Sequence, residues 1–303
     1  MTLSLLDALQ KKPLLGDGAM GTELMFAGLE QGNCGEAWNL THPDRVLAIQ
    51  RRYAEAGSDC ILTNTFGGSR IMLNRHGHAG DVAAVNAAGV AIARQAFGHR
   101  RGYVIGDIGP FGGLMEPYGD FTEQQVREAF HEQARALVDA GVDAIIIETQ
   151  TSLEELGLGL EAARDAGAPC VIGSMAYDVT LDGATFRTMM GIDPERAAEF
   201  MAERGADIVA LNCGTGMDMI RGCEAVKRYR QVTGLPVMAQ PNAGQPKLVN
   251  MKVVYDETPA QMVGGVVPML EAGASILGAC CGSTPEHIRA FRQAMDAYER
   301  SHA

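Results

Sequence analysis

The chain has 303 residues, is 47% apolar and carries a formal net charge of −12, which suits one large core of about the 250 residues that an α/β barrel commonly takes. The negative balance offers no basic footprint and argues against nucleic acid or an anionic membrane surface as a partner. The first fifteen residues hold Asp7, Lys11 and Lys12 in place of a long apolar run, so no secretory signal or membrane span is expected and a cytoplasmic location follows.

One cassette recurs eight times along the chain: a short run rich in Val and Ile, a glycine-rich or polar break, then apolar residues three and four apart. In chain order the predicted strand 13–16 precedes helix 44–56, and 59–63 precedes 81–97. Strands 102–106, 144–148 and 169–175 precede helices 122–140, 152–166 and 193–204. Strands 208–211, 236–239 and 275–279 precede helices 217–232, 258–272 and 285–298. Gly57, Gly141, Gly167, Gly205, Gly234 and Gly273 follow helical stretches, where a left-handed residue ends a helix. Asp44 after Pro43, Thr122 with Gln125, and Asp193 before Pro194 supply caps or first-turn residues. The expected fold class is α/β, a closed (β/α)8 TIM barrel made by residues 1–303 as a single domain; the rival doubly wound sheet usually has fewer strands. Both architectures bind ligands at the carboxyl ends of their strands.

The breaks after the strands are rich in acids, amides and thiols, and none holds a lysine or histidine. That argues against a Schiff-base lysine and against a metal site built on several imidazoles. A reducing compartment keeps the seven cysteines free as ligands, nucleophiles or packing groups. Cys213, Cys280 and Cys281 each stand where an apolar run breaks into glycine. If those breaks are neighbouring strand ends, three thiolates converge, and three soft sulfur ligands with a fourth place open describe a zinc centre able to take a substrate. Cys280 and Cys281 can share one ion only where the backbone leaves the extended conformation, which the flanking Gly278 and Gly282 permit. Cys60, Cys170 and Cys223 read as packing groups, and Cys34 as a loop bystander. The Gly16-x-Gly18-x-x-Gly21 run fits a dinucleotide-binding turn, but Asp17 would put a carboxylate into the phosphate loop and the second strand ends in Asn64-Thr65 without an acid.

Several phrases together resemble the homocysteine S-methyltransferase family, and most closely the homocysteine-binding zinc domain of its cobalamin-dependent methionine synthase branch. They include Gly16-Asp17-Gly18-Ala19-Met20-Gly21-Thr22, Gly106-Asp107-Ile108-Gly109-Pro110, Glu148-Thr149, Leu211-Asn212-Cys213, Pro241-Asn242-Ala243-Gly244 and Gly278-Ala279-Cys280-Cys281-Gly282. The resemblance implies a TIM barrel, Zn2+ held by Cys213, Cys280 and Cys281 as the catalytic centre, homocysteine thiolate as fourth ligand, and methyl transfer to give methionine. It assigns Asp17 and Glu148 to the amino group of homocysteine and gives Asn242 the place of a transient metal ligand. The amides of Gly18, Ala19 and Met20 are expected to hold the substrate carboxylate. Asn64, Thr149 and Asn212 are read as groups that orient ligands, and Phe66, Tyr177 and Met190 as lining of the mouth. The chemistry is consistent, because zinc favours the thiolate that must attack a methyl group, and three thiolates leave electron density on the substrate sulfur.

Full-length members of that branch carry folate, corrinoid and activation modules beyond this length, so the methyl donor is expected in trans. A separate corrinoid protein is the preferred donor; methylcobalamin, S-methylmethionine, S-adenosylmethionine and a betaine are the others. Two alternative functions stand beside this one: a homocysteine- or thiol-binding component of a multi-protein methyltransferase, and an S-methyltransferase acting on another small thiol.

Overall fold

A computed structural model describes residues 3–249 and 252–302. Eight parallel strands form its centre: β1 (Leu14–Leu15), β2 (Cys60–Leu62), β3 (Tyr103–Ile108), β4 (Ala144–Gln150), β5 (Val171–Met175), β6 (Ile208–Asn212), β7 (Val237–Gln240) and β8 (Ala274–Leu277). Their hydrogen-bonded order is β1-β8-β7-β6-β5-β4-β3-β2, each strand beside its neighbour in sequence. The main outer helices are α1 (Pro43–Ala56), α2 (Val82–Ala96), α3 (Glu123–Asp139), α4 (Leu153–Asp165), α5 (Pro194–Glu203), α6 (Met219–Val232), α7 (Val266–Glu271) and α8 (Pro285–His302). This is the expected TIM barrel. Its seam is closed partly by side chains. Asp59 N–H donates to Leu15 O at 2.7 Å, Leu15 N–H to Asp59 Oδ2 at 2.9 Å, and Leu62 N–H to Asp17 Oδ2 at 2.9 Å.

Strand parity sorts the interior. Leu14, Ile105, Ile146, Ile172, Ala210, Met238 and Ile276 form one apolar cluster, while alternate residues such as Leu15, Val104, Ile145, Val209 and Leu277 join the larger cluster under the helices. Side chains alternate across a strand. One step further toward the carboxyl ends, the same inward parity therefore carries Asp107, Glu148, Ser174, Asn212 and Gln240, all buried. A polar layer thus sits directly on an apolar plug.

The repeated Gly-x-Asp phrases have a structural role beyond ending helices. Gly57, Gly141 and Gly205 take φ of 111°, 89° and 78°, and the aspartate two residues later accepts an N–H from the first two residues of the preceding strand. Those bonds are Asp59 to Leu15, Asp143 to Val104 at 2.7 Å, and Asp207 to Val171 at 2.8 Å. Arg292, Arg94 and Arg164 pair with the same three aspartates at 3.1, 2.8 and 2.8 Å. Thr122 with Gln125 makes the expected capping box, and Asp193 Oδ1 accepts the Arg196 N–H at 2.9 Å.

Four features differ from expectation. The helix foreseen over 258–272 is broken into Pro259–Met262, a 3-10 turn Val263–Gly265, and α7. Pro268 has no N–H to return to Gly264 O, and two consecutive glycines favour no helix; a Cβ on Gly265 would lie 2.6 Å from Met219 Cβ. Gly234 is not left-handed, since α6 ends in an extended Thr233 whose Oγ1 accepts the Leu235 N–H. A short helix, Leu5–Leu9, plugs the bottom of the barrel through Leu5 and Ala8. Finally, β3 and β4 run on to Ile108 and Gln150, past the foreseen ends at 106 and 148. Among the described residues no helix is long and apolar enough to cross a membrane.

Candidate metal centre

Cys213 follows the last residue of β6 and is left-handed at φ 56°, a conformation that a residue with a Cβ adopts only when its surroundings fix it. Two neighbours fix it. Asn212 Oδ1 accepts from Thr149 N–H at 3.0 Å and from Ser174 Oγ at 2.7 Å, while its Nδ2 donates to Thr149 Oγ1 at 2.7 Å, binding the ends of β4, β5 and β6 together. Gly214 follows at φ 90°, packed so tightly on the backbone of Tyr177 that a Cβ there would lie 1.7 Å from Tyr177 O.

The Cys280-Cys281 pair lies beyond the end of β8, in a turn where the strand's alternation has ceased. Cys280 N–H donates to Pro241 O at 2.8 Å, Ala243 N–H to Cys281 O at 2.9 Å, and Ser283 N–H and Oγ both donate to Cys280 O. Gly282 completes the turn at φ 79°, with the Tyr255 ring against the face where a Cβ would stand. The condition set by the sequence, that the backbone bend at the pair, is met. The glycines of the Gly16-Asp17-Gly18 turn serve close packing: a Cβ at Gly16 would meet Gly278 Cα at 3.1 Å, and one at Gly18 would meet Ser283 Oγ at 2.6 Å.

The three sulfurs lie within 4.8 Å of one another, with Cys213 Sγ 3.7 Å and Cys280 Sγ 4.0 Å from Cys281 Sγ. A tetrahedral zinc with bonds of about 2.3 Å spaces its sulfur ligands about 3.8 Å apart. The donor set therefore fits zinc in both softness and spacing. Hydrogen bonds from Cys213 and Cys280 hold the Cys281 thiol down to about 3 against the opposing effect of burial. Bonds to Cys213 and Cys281, with burial, push Cys280 well above the usual thiol range. By itself the cluster accommodates one negative charge and resists more, which is the condition a divalent cation relieves. Asn242 lies between the two cysteine-bearing segments. Its Nδ2 donates to Gly214 O at 2.8 Å, and its Oδ1 is buried with no hydrogen-bond partner, leaving one oxygen free for a cation.

Acids line the adjoining wall. Burial raises Asp17 to about 8, opposed by the Leu62 N–H and reinforced by Glu148. Burial likewise raises Glu148 to about 7, against hydrogen bonds from Asp107 and Gln240. Asp107 is a further acid of this wall, hydrogen-bonded to Glu148 and pushed well up by burial and by that neighbour. Sequence reasoning placed it in a break and gave it no role. Its signal was strand parity, since Ile105 points inward and Asp107 is two residues on. Of the turn Gly18-Ala19-Met20, the Ala19 N–H is held by Ser283 Oγ at 3.0 Å. Asn64 serves the loop behind the mouth, donating to Gly35 O at 2.9 Å and Asn39 Oδ1 at 3.0 Å.

The expectation that Tyr177 lines the mouth is corrected. Its ring is buried against Phe186 and its hydroxyl lies 2.6 Å from that of Tyr229, so it belongs to the wall. Phe66 and Met190 are exposed, with the Phe66 ring over the face of Gly109. Cys60 and Cys170 are buried within the barrel, Cys223 donates to Pro268 O, and Cys34 donates to Glu36.

A parallel barrel with three convergent thiols at its carboxyl end defines a scaffold whose donor set suits a soft metal ion. The family model described as homocysteine S-methyltransferase matches residues 14–295, and the chain belongs to that family. It is 34% identical over 313 aligned residues to methionine synthase of Mycobacterium tuberculosis (strain ATCC 25618 / H37Rv), covering 98% of this chain and 26% of the relative. Against methionine synthase of Mycobacterium leprae (strain TN) it is 32% identical over 300, covering 94% and 24%. The chain thus spans about a quarter of the length of these curated relatives. The metallated form of homocysteine methyltransferase MmuM from Escherichia coli has the same fold, with a TM-score of 0.76, 21% identity, and 95% and 99% of the two chains covered.

Proposed function

We propose that this chain transfers a methyl group to the sulfur of homocysteine to give methionine, at a Zn2+ centre formed by Cys213, Cys280 and Cys281. The observation that carries the reading is the set of three thiols within 4.8 Å at the carboxyl end of the barrel. When bound there, zinc supplies a Lewis acid that keeps a substrate thiol in its nucleophilic, deprotonated form. The residues of the chain do the rest. Asp17 and Glu148 accept hydrogen bonds from the substrate ammonium, and the Gly18 and Met20 amides, beside the Ala19 amide held by Ser283, face its carboxylate. Asn242, whose buried Oδ1 has no partner, would offer the metal an oxygen before the substrate arrives.

In the transfer the new bond joins the substrate sulfur to the methyl carbon, while the bond to the donor breaks and its electron pair stays on the donor. The donor is a corrinoid carried by a separate protein unit. Tyr118, Leu181 and Met189, exposed by 84%, 110% and 72% on loops that follow β3 and β5, support a bulky apolar visitor at the mouth. Zinc-loaded protein with homocysteine is expected to form methionine when methylcobalamin is supplied, ahead of S-methylmethionine, S-adenosylmethionine and a betaine. Folded protein that retains no zinc and makes no methionine with any of the four overturns the proposal. A single-turnover measurement separates a transferase from a subunit that only captures the thiol.

A further inference from the structure

We propose that Asp107 is a specificity-determining residue whose free carboxyl oxygen accepts a hydrogen bond from the substrate ammonium, so that the site selects a primary amine over N-alkylated or deaminated thiols. This rests on the homocysteine reading above and assigns a residue that neither the sequence phrases nor the metal centre had given a task.

Asp107 is only 5% exposed and its Oδ1 has no hydrogen-bond partner. Its main chain is anchored on both sides: the N–H donates to Thr63 Oγ1 at 3.0 Å, and the carbonyl accepts from Thr65 Oγ1 at 2.7 Å and Gln133 Nε2 at 3.3 Å. The inward parity of β3 leaves the side chain no route to solvent except the mouth. Its charged neighbours are acids: Glu148, with which it shares a hydrogen bond, then Asp17 and Glu36. A buried carboxyl among other carboxyls destabilises a fold, and an apolar side chain would fill the strand better. A cation placed against these carboxyls would offset that cost.

A primary ammonium has three N–H donors, and Asp107 Oδ1, beside the Glu148 carboxyl with which Asp107 shares a hydrogen bond, is free to accept one of them. Asp17 Oδ2 already accepts from the Leu62 N–H, whereas Asp107 Oδ1 is buried with no partner. Each N-methyl group removes one donor from the match and puts apolar volume against a carboxylate.

Binding of homocysteine, N,N-dimethylhomocysteine and 4-mercaptobutanoate to the zinc-loaded full chain tests this by calorimetry. The parent is expected to prefer homocysteine to 4-mercaptobutanoate by at least about 100-fold, as a site built around an N–H rejects the analogue lacking it. Asp107→Asn should reduce that preference by about 10-fold or more, the worth of one charged hydrogen bond. It should leave zinc stoichiometry and the affinity for 4-mercaptobutanoate unchanged, a pattern that general loosening of the site would not produce. Asp107→Ser serves if the asparagine variant does not fold, and the dimethyl compound tests the parent directly, with at least about 10-fold weaker binding expected. Undiminished preference in a folded variant, or a parent indifferent to N-methylation, overturns the assignment of Asp107 alone. A zinc-loaded parent that binds none of the three thiols overturns the homocysteine reading with it.

Discussion

Replacing Cys281 with alanine is expected to strip the centre of zinc and abolish methyl transfer while the barrel stays folded. Cys281 is the thiolate toward which both other cysteines direct hydrogen bonds, and it is the sulfur placed at 3.7 and 4.0 Å from its partners. Without it two thiols remain, one short of the number that leaves a catalytic zinc a single open place. Loss of an outer-shell partner lowers metal affinity by about 10- to 100-fold, and loss of a ligand should exceed that. The residue sits in a half-buried turn outside the apolar clusters, so the cost to folding is small beside a total stability of about 5–15 kcal/mol. Metal content per chain and thermal unfolding with and without zinc check the result. The parent should be stabilised by added zinc and the variant should not; stoichiometric zinc with parental turnover in the variant would contradict the ligand assignment.

Gly214→Ala is expected to damage the centre without touching a ligand. At φ 90° any side chain is strained, and the new Cβ would lie 1.7 Å from Tyr177 O and 2.7 Å from Tyr177 C. Tyr177 cannot retreat, because its ring is packed on Phe186 and its hydroxyl meets Tyr229. Strain and overpacking together should cost about 3 kcal/mol or more, and the adjacent Cys213 should lose its position and zinc its affinity. Gly141→Ala is the control. Its φ is 89° with nothing within 4 Å of an added Cβ, so only the backbone cost of about 1–2 kcal/mol applies. Urea unfolding and metal content of the two variants decide the matter; equal losses in both would mean that the Tyr177 contact has no special weight.

The barrel was legible because most strands begin as a short apolar run whose polar residues come late, and because Gly-x-Asp marks the return from helix to strand. The three cysteines were legible for a related reason: strand ends converge in a closed barrel, so position along the chain translates into position around the mouth. What stayed hidden depended on distance in sequence. The apolar run predicts a strand ending at Gly106, two residues short of the observed Ile108, so the inward parity that places Asp107 lies outside it. Nothing local in the sequence reveals that Tyr177 turns from the mouth to pair with Tyr229, 52 residues away. The broken helix over 258–272 hid its fault behind good apolar spacing, although Gly264, Gly265 and Pro268 were in view. The role of Asn212 in fastening β4, β5 and β6 likewise needs contacts that only the closed sheet creates.

X-ray absorption at the zinc edge, on protein before and after homocysteine, bears most directly on the proposed centre. Three sulfur neighbours at about 2.3 Å are expected first, and a fourth at a similar distance once the substrate is added. Fewer than three sulfurs at the start, or a sulfur count that homocysteine leaves unchanged, would contradict it.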